Sequence, residues 1–178
     1  MKKIVIVLLI VLSFFACEKD DICDAKTSTT PRLVIDFYDK TNPSIPKKVT
    51  NLKVIGEGKT EGIVFNAGAT GEAKYLTSES TISIPLKTNA DSTGFSFILN
   101  SGNSNSTLID QDDVTFFYTR NDLFVSRACG FKTVFTLDPV QSYTQVAVPA
   151  TKLKWMQYIS IEKSNIDTEN ETHVKVFF

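Results

Sequence analysis

The sequence holds a single histidine, His173. A zinc site would have to draw its remaining ligands from carboxylates and cysteines, and cysteine is scarce, three in 178 residues. No Gly-x-Ser-x-Gly turn is present to expose a serine nucleophile. His173 is expected on the outer face of the last strand, and no catalytic residue is expected. GEGKT (56–60) lacks the first glycine of a phosphate loop, because Lys53 occupies that place, and the β-like EGIVF follows where a helix is required. It reads as a glycine-rich turn. Asp110, Asp112 and Asp113 cluster, but the sixth and twelfth places of a calcium loop counted from Asp110 hold Thr115 and Asn121 instead of Gly and Glu. A solvated turn is expected there, with no metal and no cofactor.

Long apolar runs are also missing, with one short exception. Ile4 to Ala16 spans 13 residues after Lys2 and Lys3. A membrane-crossing helix needs about 20, so the run suits the apolar core of a signal peptide. Ala16-Cys17 at its end resembles the lipobox of bacterial lipoproteins, although Phe14 stands where leucine is commonest. The resemblance implies a signal peptide over 1–16, removed before a lipidated Cys17, and attachment to a membrane through that lipid. A soluble secreted protein is the alternative. Lys19, Asp20 and Asp21 resemble the surface-export signal of some Gram-negative lipoproteins. The plainer reading is an extended, charged tether.

Removal of residues 1–16 takes Lys2 and Lys3 with it. That leaves 17 basic against 20 acidic side chains in 162 residues. This suits one domain of net charge −3 with no basic stripe, which argues against a nucleic-acid partner. With Cys17 assigned to lipid, Cys23 and Cys129 are an even remainder in an oxidising compartment and are expected to form a disulfide. Two free thiols are the alternative.

Residues 17–31 read as the lipidated N-terminus and tether, and 32–178 as the folded domain. Period-two alternation begins at once: Leu33, Ile35 and Phe37 share one face. Further strands are expected around Leu52-Lys53-Val54, Ile82 to Leu86 and Phe95 to Leu99. Val114 to Thr119 and Leu123 to Cys129 are expected as a hairpin turning at Arg120-Asn121-Asp122. Phe131 to Leu137 follows, and Lys154 to Glu162 is expected to pair with His173 to Phe178. Pro85 argues for an edge. No helical period and no repeat is visible. Many short β runs imply an all-β antiparallel β-sandwich, immunoglobulin-like or related, with a barrel as the alternative. Trp155 is expected in the core, with an aromatic patch alongside Tyr158 as the alternative. Asp91-Ser92-Thr93, in an expected loop, resembles an O-glycosylation motif of Gram-negative surface proteins, which makes Ser92 a candidate acceptor.

CEKDDIC with the following TTPRLVIDFYD, then FVSRACGFKTVF and the terminal HVKVFF, together resemble a family of bacterial lipoproteins known only as domain-of-unknown-function family 6452. The resemblance implies a lipid-anchored protein of the outer membrane, on its periplasmic or surface face, working beside an outer-membrane barrel or other envelope protein. It assigns no activity. The expected function is a non-enzymatic binding or assembly module; the alternative is an envelope hydrolase with an unrecognised site.

Overall fold

Among the described residues eleven strands form, because alternation puts apolar residues on one face of the longer strands and two sheets bury those faces against each other. The computed structural model describes residues 22–24, 27 and 29–178. Two units are distinguished along the chain. One is Thr30–Asn121 with Thr133–Phe178; the other is the N-terminal segment to Thr29 with Asp122–Lys132.

The first unit is a β-sandwich. Its smaller sheet has the order β4-β1-β11-β9, formed by β4 (Thr81–Ile84), β1 (Leu33–Tyr38), β11 (Val174–Phe177) and β9 (Tyr158–Ile161). The last strand is thus an inner one. It runs antiparallel to β9, with Val174 opposite Ile161 and Val176 opposite Ile159, the pairing expected from the sequence. On its other side it runs parallel to β1, with Ile35 opposite Val174. β4 is an edge of this sheet and ends one residue before Pro85, which has no N–H to donate to a ladder.

The larger sheet has the order β10-β7-β6-β5-β2-β3, with β8 paired to β6. Its members are β2 (Leu52–Gly56), β3 (Leu76–Thr77), β5 (Ser92–Leu99), β6 (Asp110–Ser126), β7 (Gly130–Leu137), β8 (Tyr143–Val148) and β10 (Asn165–Ile166). Leu33, Ile35, Phe37, Ile82, Ile84, Val174 and Val176 from one sheet meet Leu52, Val54, Phe95, Phe97, Val114, Phe116 and Phe135 from the other. Trp155 is buried with them. It stacks on Phe37 at 6.3 Å between ring centres and donates its indole N–H to the Phe97 carbonyl at 3.1 Å, which settles the choice between core and surface patch.

The hairpin expected at Arg120-Asn121-Asp122 does not exist. β6 is one strand of 17 residues running straight through that tripeptide, and the turn comes at Arg127 to Cys129, so Arg127 is an exposed turn residue. Burial alternates regularly from Asp112 to Tyr118 and then stops; Thr119 to Phe124 are all exposed. A strand exposed on both faces needs no apolar alternation, so its sequence resembles a loop. Gly130 enters β7 with φ of 69°, a left-handed conformation that glycine adopts freely.

The second unit is held by a disulfide between Cys23 and Cys129. Its turn is further tied by Cys129 N–H donating to Ser126 Oγ at 3.0 Å.

Candidate binding cleft

β2 ends at Gly56, and the GEGKT stretch turns there: Lys59 N–H donates to the Gly56 carbonyl at 2.9 Å, and Gly58 takes a φ of 73°. It is the glycine-rich turn expected, with no helix after it. The chain then folds back beside β2, Ile63 N–H donating to the Val54 carbonyl at 2.8 Å. Glu57 N–H donates to the Gly94 carbonyl at 2.8 Å, and the Glu57 side chain lies over Gly94 so closely that a Cβ there would sit 3.0 Å from Oε2.

These segments enclose an open cleft of about 530 Å³, within the range of small-ligand sites. Phe95, Leu86 and Ile63 contribute its apolar lining; Glu57, Lys59, Glu61 and Lys87 are its charged, exposed members. A second depression of about 410 Å³ on the neighbouring sheet face shares Gly56, Glu57 and Lys59 with it, so the turn lines both.

One wall of the cleft is fixed by a buried network. Lys87 N–H donates to Thr93 Oγ1 at 2.9 Å, the Thr93 and Tyr118 hydroxyls are 2.6 Å apart, and Tyr118 donates to the Lys87 carbonyl at 2.9 Å. Each hydroxyl is thereby engaged, and the Pro85–Lys87 segment is pinned to β5 and β6. Burial pushes the Tyr118 hydroxyl above its ordinary pKa. No sequence signal linked these three residues. Thr93 and Tyr118 lie on the paired strands β5 and β6, and Lys87 lies in the connection after β4, so only the fold brings them together.

Two ionisable groups lie deep in the sandwich. Asp112 is fully buried, not part of a solvated turn, because β6 already runs at Asp110 and its alternation turns residue 112 inward. Asp112 Oδ2 accepts from Met156 N–H and from Gln145 Nε2, both at 2.9 Å. Oδ1 has no hydrogen-bond partner among the described residues. Burial raises its pKa, against these two bonds. Asp110, exposed in part, pairs with Lys152 at 3.1 Å.

His173 is likewise fully buried, contrary to the expected outer face. It sits one residue before β11, where its Nδ1 accepts from Val34 N–H at 3.0 Å and its own N–H donates to the Val34 carbonyl at 3.1 Å. The side chain thus completes the β1 ladder where the backbone of the last strand has yet to begin. Burial lowers its pKa, opposed by Glu171, Asp167 and Glu169. Among the described residues no cluster of three potential metal ligands occurs, and neither Asp112 nor His173 lines the cleft.

Ser92 is the first residue of β5 and half-buried, not in a loop. Its neighbours are engaged: Asp91 pairs with Arg120 at 2.8 Å and Thr93 is in the network above. Cys17, Lys19, Asp20 and Asp21 lie outside the described residues.

A family model described as a family of unknown function (DUF6452) matches residues 51–178. The chain belongs to that family. The match covers the cleft, β6, the hairpin that carries Cys129 and the last strand of this DUF6452 member. It starts after the CEKDDIC and TTPRLVIDFYD stretches, so the N-terminal part of the resemblance is outside it. No curated protein and no solved structure matches the chain.

Proposed function

We propose that this DUF6452 protein is a lipid-anchored, non-enzymatic binding module of the outer membrane, held through lipid at Cys17, which offers the cleft beside the GEGKT turn to a glycan or protein of the envelope. The observation that carries the binding reading is the cleft itself: an apolar lining of Phe95, Leu86 and Ile63 under a mixed-charge rim, with its wall locked by the Lys87–Thr93–Tyr118 bonds. A preformed, largely apolar depression with a few polar groups is the usual form of a binding site. The export reading draws support from the Cys23–Cys129 disulfide, since such bonds persist in oxidising compartments. An outer-membrane barrel protein remains the partner class implied by the family resemblance.

The hydrolase alternative gains little from the same geometry. Glu57 and Glu61 line the cleft but are exposed, and the cleft's buried hydroxyl, Thr93, is already engaged by Lys87 and Tyr118. A general base needs to be within hydrogen-bond reach of its substrate and held there by a partner. Asp112 and His173, buried in the sandwich, do not line the cleft, and the Tyr118 hydroxyl behind its wall is engaged by Thr93 and Lys87.

The test is photo-crosslinking in intact cells. A benzophenone amino acid replaces Glu61 in the cleft or, as control, the exposed Val140. The expected result is a discrete adduct from position 61 that is absent from position 140. Equal or no adducts from both would contradict a binding role for the cleft.

A further inference from the structure

Among the described residues of the second unit, four large apolar side chains face solvent: Ile22, Leu123, Phe124 and Phe131, the last two 62% and 68% exposed. Phe124 and Phe131 meet edge to face at 5.4 Å across the hairpin. The contact orders the two rings but leaves most of each in water. The disulfide ties Cys129, in the turn between them, to Cys23 next to Ile22. The exposed Phe124–Phe131 pair, with Leu123 on the same strand and Ile22 next to the disulfide, marks an interaction surface.

The covalent chain says what that surface meets. Cys23 is six residues from Cys17, and six residues reach at most about 22 Å when fully extended. If Cys17 carries the lipid, as the proposed function holds, the disulfide keeps Cys129 within about 27 Å of the lipid-bearing residue, that reach plus the 4.9 Å between the two bonded cysteines. The interfacial layer itself is several ångströms deep. A lipid surface is therefore always present beside these side chains at very high local concentration, and apolar side chains gain by leaving water for its acyl boundary.

We propose that the hairpin tip, Leu123, Phe124 and Phe131 with Ile22, inserts into the membrane leaflet that holds the Cys17 lipid. The tip is then a second attachment point, tied covalently to the anchored N-terminal segment by the Cys23–Cys129 bond. This rests on the lipid-anchor reading, and the experiment separates the two.

The lipoprotein carrying Phe124→Trp or Phe131→Trp is purified from membranes, and its lipid is verified by intact mass. It is then placed in phosphatidylethanolamine–phosphatidylglycerol vesicles with or without brominated acyl chains. Both positions are exposed, so the variants fold. Trp155, buried in the sandwich, supplies the reference emission. The expected result is that about half of the added emission is lost to bromine, with a blue shift, while the parent protein's emission is unchanged. Replacing Cys23 and Cys129 together by Ser is expected to reduce that quenching. Unquenched, red-shifted emission from verified lipoprotein overturns the insertion and leaves the anchor standing; the aromatic pair would then face water or a protein. Absence of lipid mass at Cys17 overturns both.

Discussion

His173 is the residue whose chemistry departs furthest from its appearance in the sequence. A lone histidine beside a polar loop looked like a surface group. The structure uses its Nδ1 as a substitute backbone acceptor for Val34 N–H. That bond requires a neutral ring with the proton on Nε2. Protonation would put a hydrogen on Nδ1, facing the Val34 donor, in a site where burial already disfavours charge. Lys163 adds to that penalty, while Glu171, Asp167 and Glu169 oppose it. The folded pKa is lowered, so below about 6.5 the unfolded chain takes up the proton more readily than the folded one. Stability is fully present above about 6.5 and falls as pH drops through the folded pKa, by at most about 1.4 kcal/mol per pH unit. Urea midpoints at pH 7.5 and 5.5 should therefore differ, and His173→Asn, which keeps an acceptor near Nδ1, should narrow the difference. Asp112, whose pKa is raised, acts with opposite sign and is common to both proteins. An equal pH response in both would show that His173 does not titrate with folding. Asp112 was misread for a related reason: a triplet of aspartates looks solvated unless the start of its strand is known.

At the scale of elements, the legible parts were those buried on one face. β1, β2, β4, β5 and the β9–β11 pair carried period-two alternation and were found near their places. β6 was legible on both sides of Arg120-Asn121-Asp122, but that polar tripeptide was taken for a turn, because neither face of the strand is buried there and nothing constrains its polarity. The two-residue strands β3 and β10 are too short for any period to show. The last strand also bears a quantitative prediction. It lies between β1 and β9, and Val174 and Val176 are buried at 0% and 2% exposure. The final residue is tied down as well: the Phe178 carbonyl accepts from Lys47 Nζ at 2.8 Å, and Lys47 lies 4.3 Å from the ring centre. Burial of two such valines contributes about 3–6 kcal/mol, before the loss of two hydrogen-bond ladders, against a typical total of about 5–15 kcal/mol. Truncation after His173 should leave the domain largely unfolded, and a thermal melt checks it. An unchanged melting temperature would mean that the last strand does not hold the sandwich together.

For the whole molecule, the sequence sufficed for the all-β class and for the disulfide partners, since counting thiols left a single pair. It did not show that the hairpin tip and the N-terminal segment form a unit of their own, because that grouping depends on where β6 turns. The cleft was equally hidden: Glu57, Lys59 and Glu61 of its rim are local to GEGKT, but Lys87 and the lining residues 63, 86 and 95 are brought there only by the fold. Lipid at Cys17 is the claim on which the envelope function and the orientation of the hairpin tip both depend. Its most direct test is metabolic labelling with a fatty acid, followed by membrane fractionation of the parent chain and of Cys17→Ala. The account predicts label and high-salt-resistant sedimentation for the parent and loss of both in the variant. A Cys17→Ala chain that stays labelled, or that stays with the membranes in high salt, would contradict it.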